Sequence, residues 1–413
     1  MPESAPESES LNAPAEALPP AVPAAAGSNQ RRVDDSLCIS LPGEGGPHRL
    51  RGPGGRKLRF EGVRRIEPEE ELLLPHLPVI NGRALVPLLH GAPALPATLA
   101  ALNPGARIEV WEPDMHDARL LRDKFRDLPN ITVTCTADPE PDPAAAEHVA
   151  FLLVRRDLDR LLALDLLERF SRILPPGSPV LVVMPRKRAP DLRQKMQRLL
   201  AGLTDVAHGD GLLLLSGRTR PESFWTPRLC PFTATTPGAS AKMVTRPGVF
   251  CHGRPDAGGT ALAESTEPAG GERILELGCG CGLTSLLLAM ELRGRNAPPA
   301  HFTLVDSHAR AVECARLGIA ANGLDEGFQV VHDDMFTPEP GAFDLFLGNP
   351  PYYADRRISA FFLDTAFRAL RPGGSAVLVS KHEGEIRELA EERGFTVETR
   401  HRRGYAISIC TKN

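Results

Sequence analysis

Along the second half of the chain, short apolar blocks alternate with stretches whose apolar residues recur at helical spacing. The run RILELGCGCGLTSLLLAMEL (Arg273 to Leu292) reads as a buried strand, a Gly-rich turn and a helix, and the strand HFTLVD ends at Asp306. The spacing then predicts a helix over Ala309 to Asn322, a strand FQVVHDD ending at Asp334, and a strand FDLFLG leading into Asn349-Pro350-Pro351-Tyr352. A helix over Ile358 to Leu370, the turn RPGG and the strand SAVLVS complete the series. Strand and helix in strict alternation imply a parallel sheet covered on both faces.

The same rhythm appears earlier in worn form. Shifted by 196 positions, RILPPGSPVLVV (Arg172 to Val183) lies against RALRPGGSAVLV (Arg368 to Val379), and Asp138 lies against Asp334. At nearly the same offset RIEVWE, ending at Glu112, matches HFTLVD. A register kept over several elements points to internal duplication, and so to two doubly wound α/β domains in tandem. The copies part where chemistry would sit: Gly278, Gly280 and Gly282 face His90, Ala92 and Ala94, and Asn349 to Tyr352 face Leu153 to Arg156. The first copy is expected to be degenerate.

Composition narrows the setting. A length of 413 residues leaves room for two cores, and no apolar run reaches the roughly 20 residues of a membrane span. The formal net charge of -4 excludes a polybasic protein held to nucleic acid by bulk charge. Eight scattered cysteines form neither a disulfide framework nor a metal-ligand set, and the first thirty residues carry Glu3, Glu7, Glu9 and Glu16 but no basic residue, unlike an export signal. A cytoplasmic protein is expected. The resulting division is a disordered tail (1–48), a basic linker (49–71), a degenerate domain (72–225) and a catalytic domain (226–413). From Arg49 to Arg65 seven basic residues accompany one acid, Glu61, which is either an RNA-touching arm or a solvated linker.

In the turn Glu276 to Gly282, glycines bring bare N–H groups close to a ligand at a helix N-terminus. Asp306, 24 residues past Gly282, can accept ribose hydroxyls or cap a helix, and Asp334 borders the same crevice, with Asp333 as an alternative. A planar amino group is a weak nucleophile that must be oriented more than deprotonated. Asn349 offers a side-chain carbonyl and Pro350 a backbone carbonyl for its two N–H bonds, Pro351 stiffens the loop, and Tyr352 offers a ring for a flipped base.

With these motifs in one domain, the region from about Thr245 onward resembles class I S-adenosyl-L-methionine-dependent methyltransferases of the methyltransferase small domain group. The segment RPGVFCHGRPDAGGTALAE (Arg246 to Glu264) further resembles bacterial ribosomal RNA guanine-N2 methyltransferases, which also carry a degenerate N-terminal copy. The resemblance implies that Glu276, Gly278, Gly280, Gly282, Asp306 and Asp334 bind S-adenosyl-L-methionine. It further implies that Asn349, Pro350, Pro351 and Tyr352 hold the amine, that Phe250 and Asp256 line the pocket, and that no metal takes part. Arg356 and Arg357, beside the loop, are expected to meet RNA phosphates, while the cluster from Arg186 to Arg198 is either a second such contact or a solvated helix face. The expected partner is ribosomal RNA or a ribosomal subunit. Where that family usually has Phe then His, this chain has Tyr352 and Tyr353, closer to adenine-N6 and protein glutamine-N5 methyltransferases. Those acceptors stay open, as does a non-catalytic scaffold that keeps the fold.

Overall fold

A computed structural model describes residues 36–88, 92–142, 147–156, 158–220, 228–351, 356–381 and 383–413. The first large sheet contains β4 (Arg83–Pro87), β5 (Arg107–Trp111), β6 (Ile131–Thr134), β7 (His148–Leu153), β8 (Pro179–Pro185), β9 (Leu200–Gly209) and β10 (Leu212–Thr219), numbered after three strands of a smaller sheet, β1 (Ser36–Ser40), β2 (His48–Arg51) and β3 (Lys57–Glu61). A hairpin, β11 (Cys230–Thr235) and β12 (Ser240–Thr245), precedes the second large sheet. That sheet contains β13 (Arg273–Leu277), β14 (His301–Asp306), β15 (Phe328–His332), β16 (Phe343–Gly348), β17 (Leu370–Ser380), β18 (Phe395–Arg402) and β19 (Tyr405–Lys412).

The two large sheets have one topology. Their orders are β6-β5-β4-β7-β8-β10-β9 and β15-β14-β13-β16-β17-β19-β18, five parallel strands closed at one edge by an antiparallel pair. Each is therefore a Rossmann-like domain, and the duplication read from the sequence is present as repeated architecture. Central strands are apolar on both faces because helices cover both: every residue of β4 and β7 is buried, as are Ile274, Leu275 and Leu277 of β13. The helix expected from Ile358 begins earlier, at Arg356, and ends at Ala369.

One expectation is corrected. The tail assigned through residue 48 and the linker from 49 to 71 do not describe residues 36–61, which form the sheet β1-β3-β2. Leu58, Phe60 and Ile39 point inward onto Leu73, Leu74 and Leu77, so alternate residues of this basic stretch bury an apolar face. Arg and Lys occupy the alternate, outward positions and mask that period of two.

The domains meet through the loops that follow β5 and β14. Met115 N–H donates to Ser307 O and Ala309 N–H to Pro113 O, both at 2.8 Å, with Asp114 and His308 bridged between them. Beside this seam Arg310 is fully buried and donates to Asp138 (2.8 Å) and the carbonyls of Ala137 and Pro247 (both 2.7 Å), forms an ion pair with Asp165 at 2.9 Å, and lays its guanidinium over the Trp111 ring. Arg246, equally buried, donates to both oxygens of Asp138 and to Glu313.

Candidate active site

The carboxyl ends of β13, β14, β15 and β16 open on one crevice, because Leu277 is in register with both Val305 and Gly348, and Asp306 with His332. This is the switch point of the sheet, between β13 and β16, where ligands of such folds bind. Gly278, Gly280 and Gly282 all have positive φ (67°, 54° and 78°), a conformation that a side chain would strain. Around Gly280 nothing lies within 4 Å of where a Cβ would stand, so the turn borders open space. Its N–H donates to Asp306 Oδ2 and the His308 N–H to Oδ1, both at 2.8 Å, which fixes the carboxylate and leaves each oxygen a further lone pair.

Glu276 lies beneath the turn rather than at its surface. It is 4% exposed and accepts the N–H and hydroxyl of Ser285 in the following helix, Leu283–Gly294, tying strand to helix. Burial raises its carboxyl pKa to about 7, against the pull of the Ser285 and Thr284 hydrogen bonds. Burial likewise raises Asp306, with its two backbone donors opposing, and pushes the Cys281 thiol up to about 12. Cys281 is thus a buried thiol held in its neutral form, suited to packing rather than to nucleophilic attack.

Asn349 follows β16 directly. Its Nδ2 donates to Asp256 Oδ2 at 2.9 Å, and since an ionised carboxylate only accepts, the amide orientation is settled and Oδ1 faces away from Asp256. No described residue donates to Asn349 Oδ1. Asp256 is itself fixed as the N-cap of the helix Ala257–Glu264, accepting the Gly259 N–H at 2.6 Å. A Cβ on Gly258 would stand 3.3 Å from both Asn349 amide atoms, and one on Gly348 2.9 Å from Phe362, so both glycines border the amide at close quarters. Pro350 is buried and Pro351 partly so, while Tyr352 lies outside the described residues. Phe250 is 55% exposed, and the next residue, Cys251, donates its thiol to Asp256 Oδ1 five positions further on.

Asp334 stands at the seam. Its side chain is only 6% exposed, and Oδ2 accepts Arg119 Nε at 3.0 Å and Nη2 at 2.7 Å, with His116 Nδ1 3.4 Å away. Both partners come from the helix Met115–Lys124 of the first domain. Neither was expected from sequence, since no local signal joins residues 215 positions apart. Met335, next in the chain, is 56% exposed.

The basic residues divide. Arg356 pairs with Glu388 at 3.0 Å and lies near Glu392, so it is engaged with the helix Glu383–Glu392, while Arg357 is exposed. In the earlier cluster Arg188 donates to the carbonyls of Leu158 and Arg155 and Arg193 pairs with Asp205, whereas Arg186, Lys187, Lys195 and Arg198 are exposed.

Residues 240–408 match the methyltransferase small domain family. Ribosomal RNA small subunit methyltransferase C of Pseudomonas aeruginosa (strain UCBPP-PA14) is 34% identical over 171 residues, covering 38% of this chain and 49% of the relative. The protein of that name from Salmonella choleraesuis is 31% identical over 218 residues, covering 50% and 59%. The chain thus spans about half the length of the curated relatives it matches. Among solved structures, a T. thermophilus 16S rRNA N2 G1207 methyltransferase with AdoMet and guanosine aligns over 89% of this chain and 98% of its own, with a TM-score of 0.66 and 22% identity. That likeness extends the shared fold over both large sheets.

Proposed function

From residues 240–408 being a methyltransferase small domain on a class I fold, we propose that the protein transfers the methyl group of S-adenosyl-L-methionine to the exocyclic N2 of a guanine in small-subunit ribosomal RNA. The observation that carries this reading is the Asn349 amide, held by Asp256 through Nδ2, with no described residue donating to its carbonyl oxygen.

The residues present fit the cofactor. Open space at Gly280 admits close approach of a ligand to the backbone, and Asp306 retains lone pairs for ribose hydroxyls. Asp334 retains Oδ1, to which no described residue donates, for an adenine amino group. When bound, the cofactor supplies an electrophilic methyl on a sulfonium. The protein's task is to aim the acceptor: Asn349 Oδ1 and Pro350 O take one N–H each, so the nitrogen lone pair projects out of that plane toward the methyl. As the nitrogen is alkylated its proton becomes acidic and water can take it, so no strong base is required. Tyr352 and Phe250 are the rings assigned to the base.

Incubation with methyl-labelled cofactor and undermethylated ribosomal subunits, followed by nucleoside digestion, tests the proposal. Label in N2-methylguanosine is the expected result. Label in N6-methyladenosine or in protein would replace the acceptor, and no transfer to any fraction would favour a scaffold.

The RNA would be gripped by the small sheet. Register places Arg49 opposite Arg59, which pairs with Glu61 at 2.8 Å, and Arg51 opposite Lys57 on its outward face, a run of like charge that an RNA phosphate would relieve. They line a cavity of about 620 Å³ with Ser36 and Glu71. Replacing Arg49 and Arg51 by Gln should flatten the dependence of log K on log salt for RNA binding by about 1.4, two single-strand phosphate contacts at about 0.7 each. Fluorescence anisotropy between about 50 and 200 mM salt measures this; an unchanged slope places the RNA elsewhere.

A further inference from the structure

Asp334 belongs by sequence to the second domain, yet every side chain bonded to it belongs to the first. Arg119 approaches Oδ2 side-on through Nε and Nη2, at 3.0 and 2.7 Å. His116 Nδ1 stands 3.4 Å from that oxygen and 3.0 Å from Arg119 Nη2, so the three groups form a closed set. Oδ1 receives no hydrogen bond from a described residue.

The counterpart in the first domain shows what full use of such an acid looks like. Asp138, which lies against Asp334 at the 196-residue sequence offset, has both oxygens taken: Arg246 donates to Oδ1 at 2.7 Å and Oδ2 at 3.0 Å, and Arg310 to Oδ1 at 2.8 Å. Each domain therefore sends basic side chains across the seam to the other's strand-end acid. One acid is saturated and the other is half-occupied, and the half-occupied one lies in the crevice that keeps its glycine turn.

We propose that the first domain completes the cofactor pocket of the second: Arg119, backed by His116, holds Asp334 by one oxygen so that the other is presented to the exocyclic amino group of the adenine. This rests on the cofactor reading given above. A carboxylate on a short side chain turns freely about its last bond. Gripped side-on at Oδ2 by a forked guanidinium, it loses that freedom before the ligand arrives, and the adenine does not have to supply the ordering. A carboxylate oxygen offers lone pairs and no proton, which selects an amino group over a carbonyl at that edge of the base. Arg119 is thus a positioning residue that acts through Asp334 and need not touch the ligand.

Calorimetry on the full chain with two nucleoside thioethers tests this: S-adenosylhomocysteine, and S-inosylhomocysteine, in which a carbonyl replaces the amino group. Wild-type protein should prefer the adenosyl compound. In Arg119→Ala, affinity for the adenosyl compound should fall about tenfold, the scale of one hydrogen bond to a charged group, while the inosyl compound binds nearly as before. Arg119→Lys should restore part of the preference, and in turnover the loss should fall on KM for the cofactor rather than on kcat. A general loss of packing would weaken both compounds equally, and that result, or an unchanged preference, overturns the proposal. Wild-type protein that binds neither compound would overturn the cofactor reading itself and the clamp with it; binding of both with no effect of Arg119 removes the clamp alone.

Discussion

Asn349→Ala is expected to lower kcat by about 10²- to 10³-fold, roughly 2.7–4 kcal/mol of transition-state stabilisation, the scale of removing one preorganised polar contact to a reacting group. Cofactor affinity should be nearly unchanged, because Asn349 follows β16 while the glycine turn and Asp306 follow β13 and β14. The loss has two sources. The methyl-accepting nitrogen loses one of the acceptors that fix its lone pair, and Asp256 Oδ2 loses the amide it holds at 2.9 Å. Asp256→Ala separates them: Asn349 remains but its amide can turn, which should give an intermediate loss of turnover together with about 1 kcal/mol of stability from the lost N-cap. Single-turnover kinetics at saturating cofactor measure both variants. Equal loss of cofactor binding and turnover in Asn349→Ala would remove Asn349 from the amine-orienting role.

Arg310→Met should destabilise the protein by about 3–5 kcal/mol, read as a fall in the urea midpoint. Methionine replaces most of the aliphatic length, so packing against Trp111 is largely retained while the charge is lost. Asp165, itself fully buried, then keeps only Arg246, at 3.7 Å, and the carbonyls of Ala137 and Pro247 lose their donor. Leaving a buried carboxylate poorly paired costs more than the pair contributed. A loss below about 1 kcal/mol, the usual worth of an exposed pair, would mean that water enters and solvates Asp165.

Much of this was legible in the sequence because the signals are local. A strand, three glycines and a helix follow one another within Arg273 to Leu292, and the structure gives those glycines the positive φ that the turn demands. The repeat was legible for the same reason, since RPGG falls in the first residues of β17 and RILPPG just before β8, strands at the same place in their sheets. Two things were hidden. The small sheet lay within a stretch read by its charge, although HRLR and KLRFE alternate polar and apolar at a period of two. The seam was hidden because it depends on pairing over long separations: Arg119, Arg246 and Arg310 look like ordinary surface cations until the second domain is placed against the first. The Arg186 to Arg198 cluster shows the converse, as Arg188 and Arg193 are partly spent on backbone carbonyls and Asp205.

The seam is also reciprocal. Met115 to Ser307 and Ala309 to Pro113 are the same bond made twice between positions 194 apart, as at the self-complementary contact of a two-fold dimer. Here the second protomer is tethered. Two separate chains would part on dilution, and a pocket built across their contact would lose its borrowed arginine with them. A covalent link instead holds the partner surface at an effective concentration of about millimolar or above, so affinity for a small ligand at this crevice should be independent of protein concentration down to the nanomolar range.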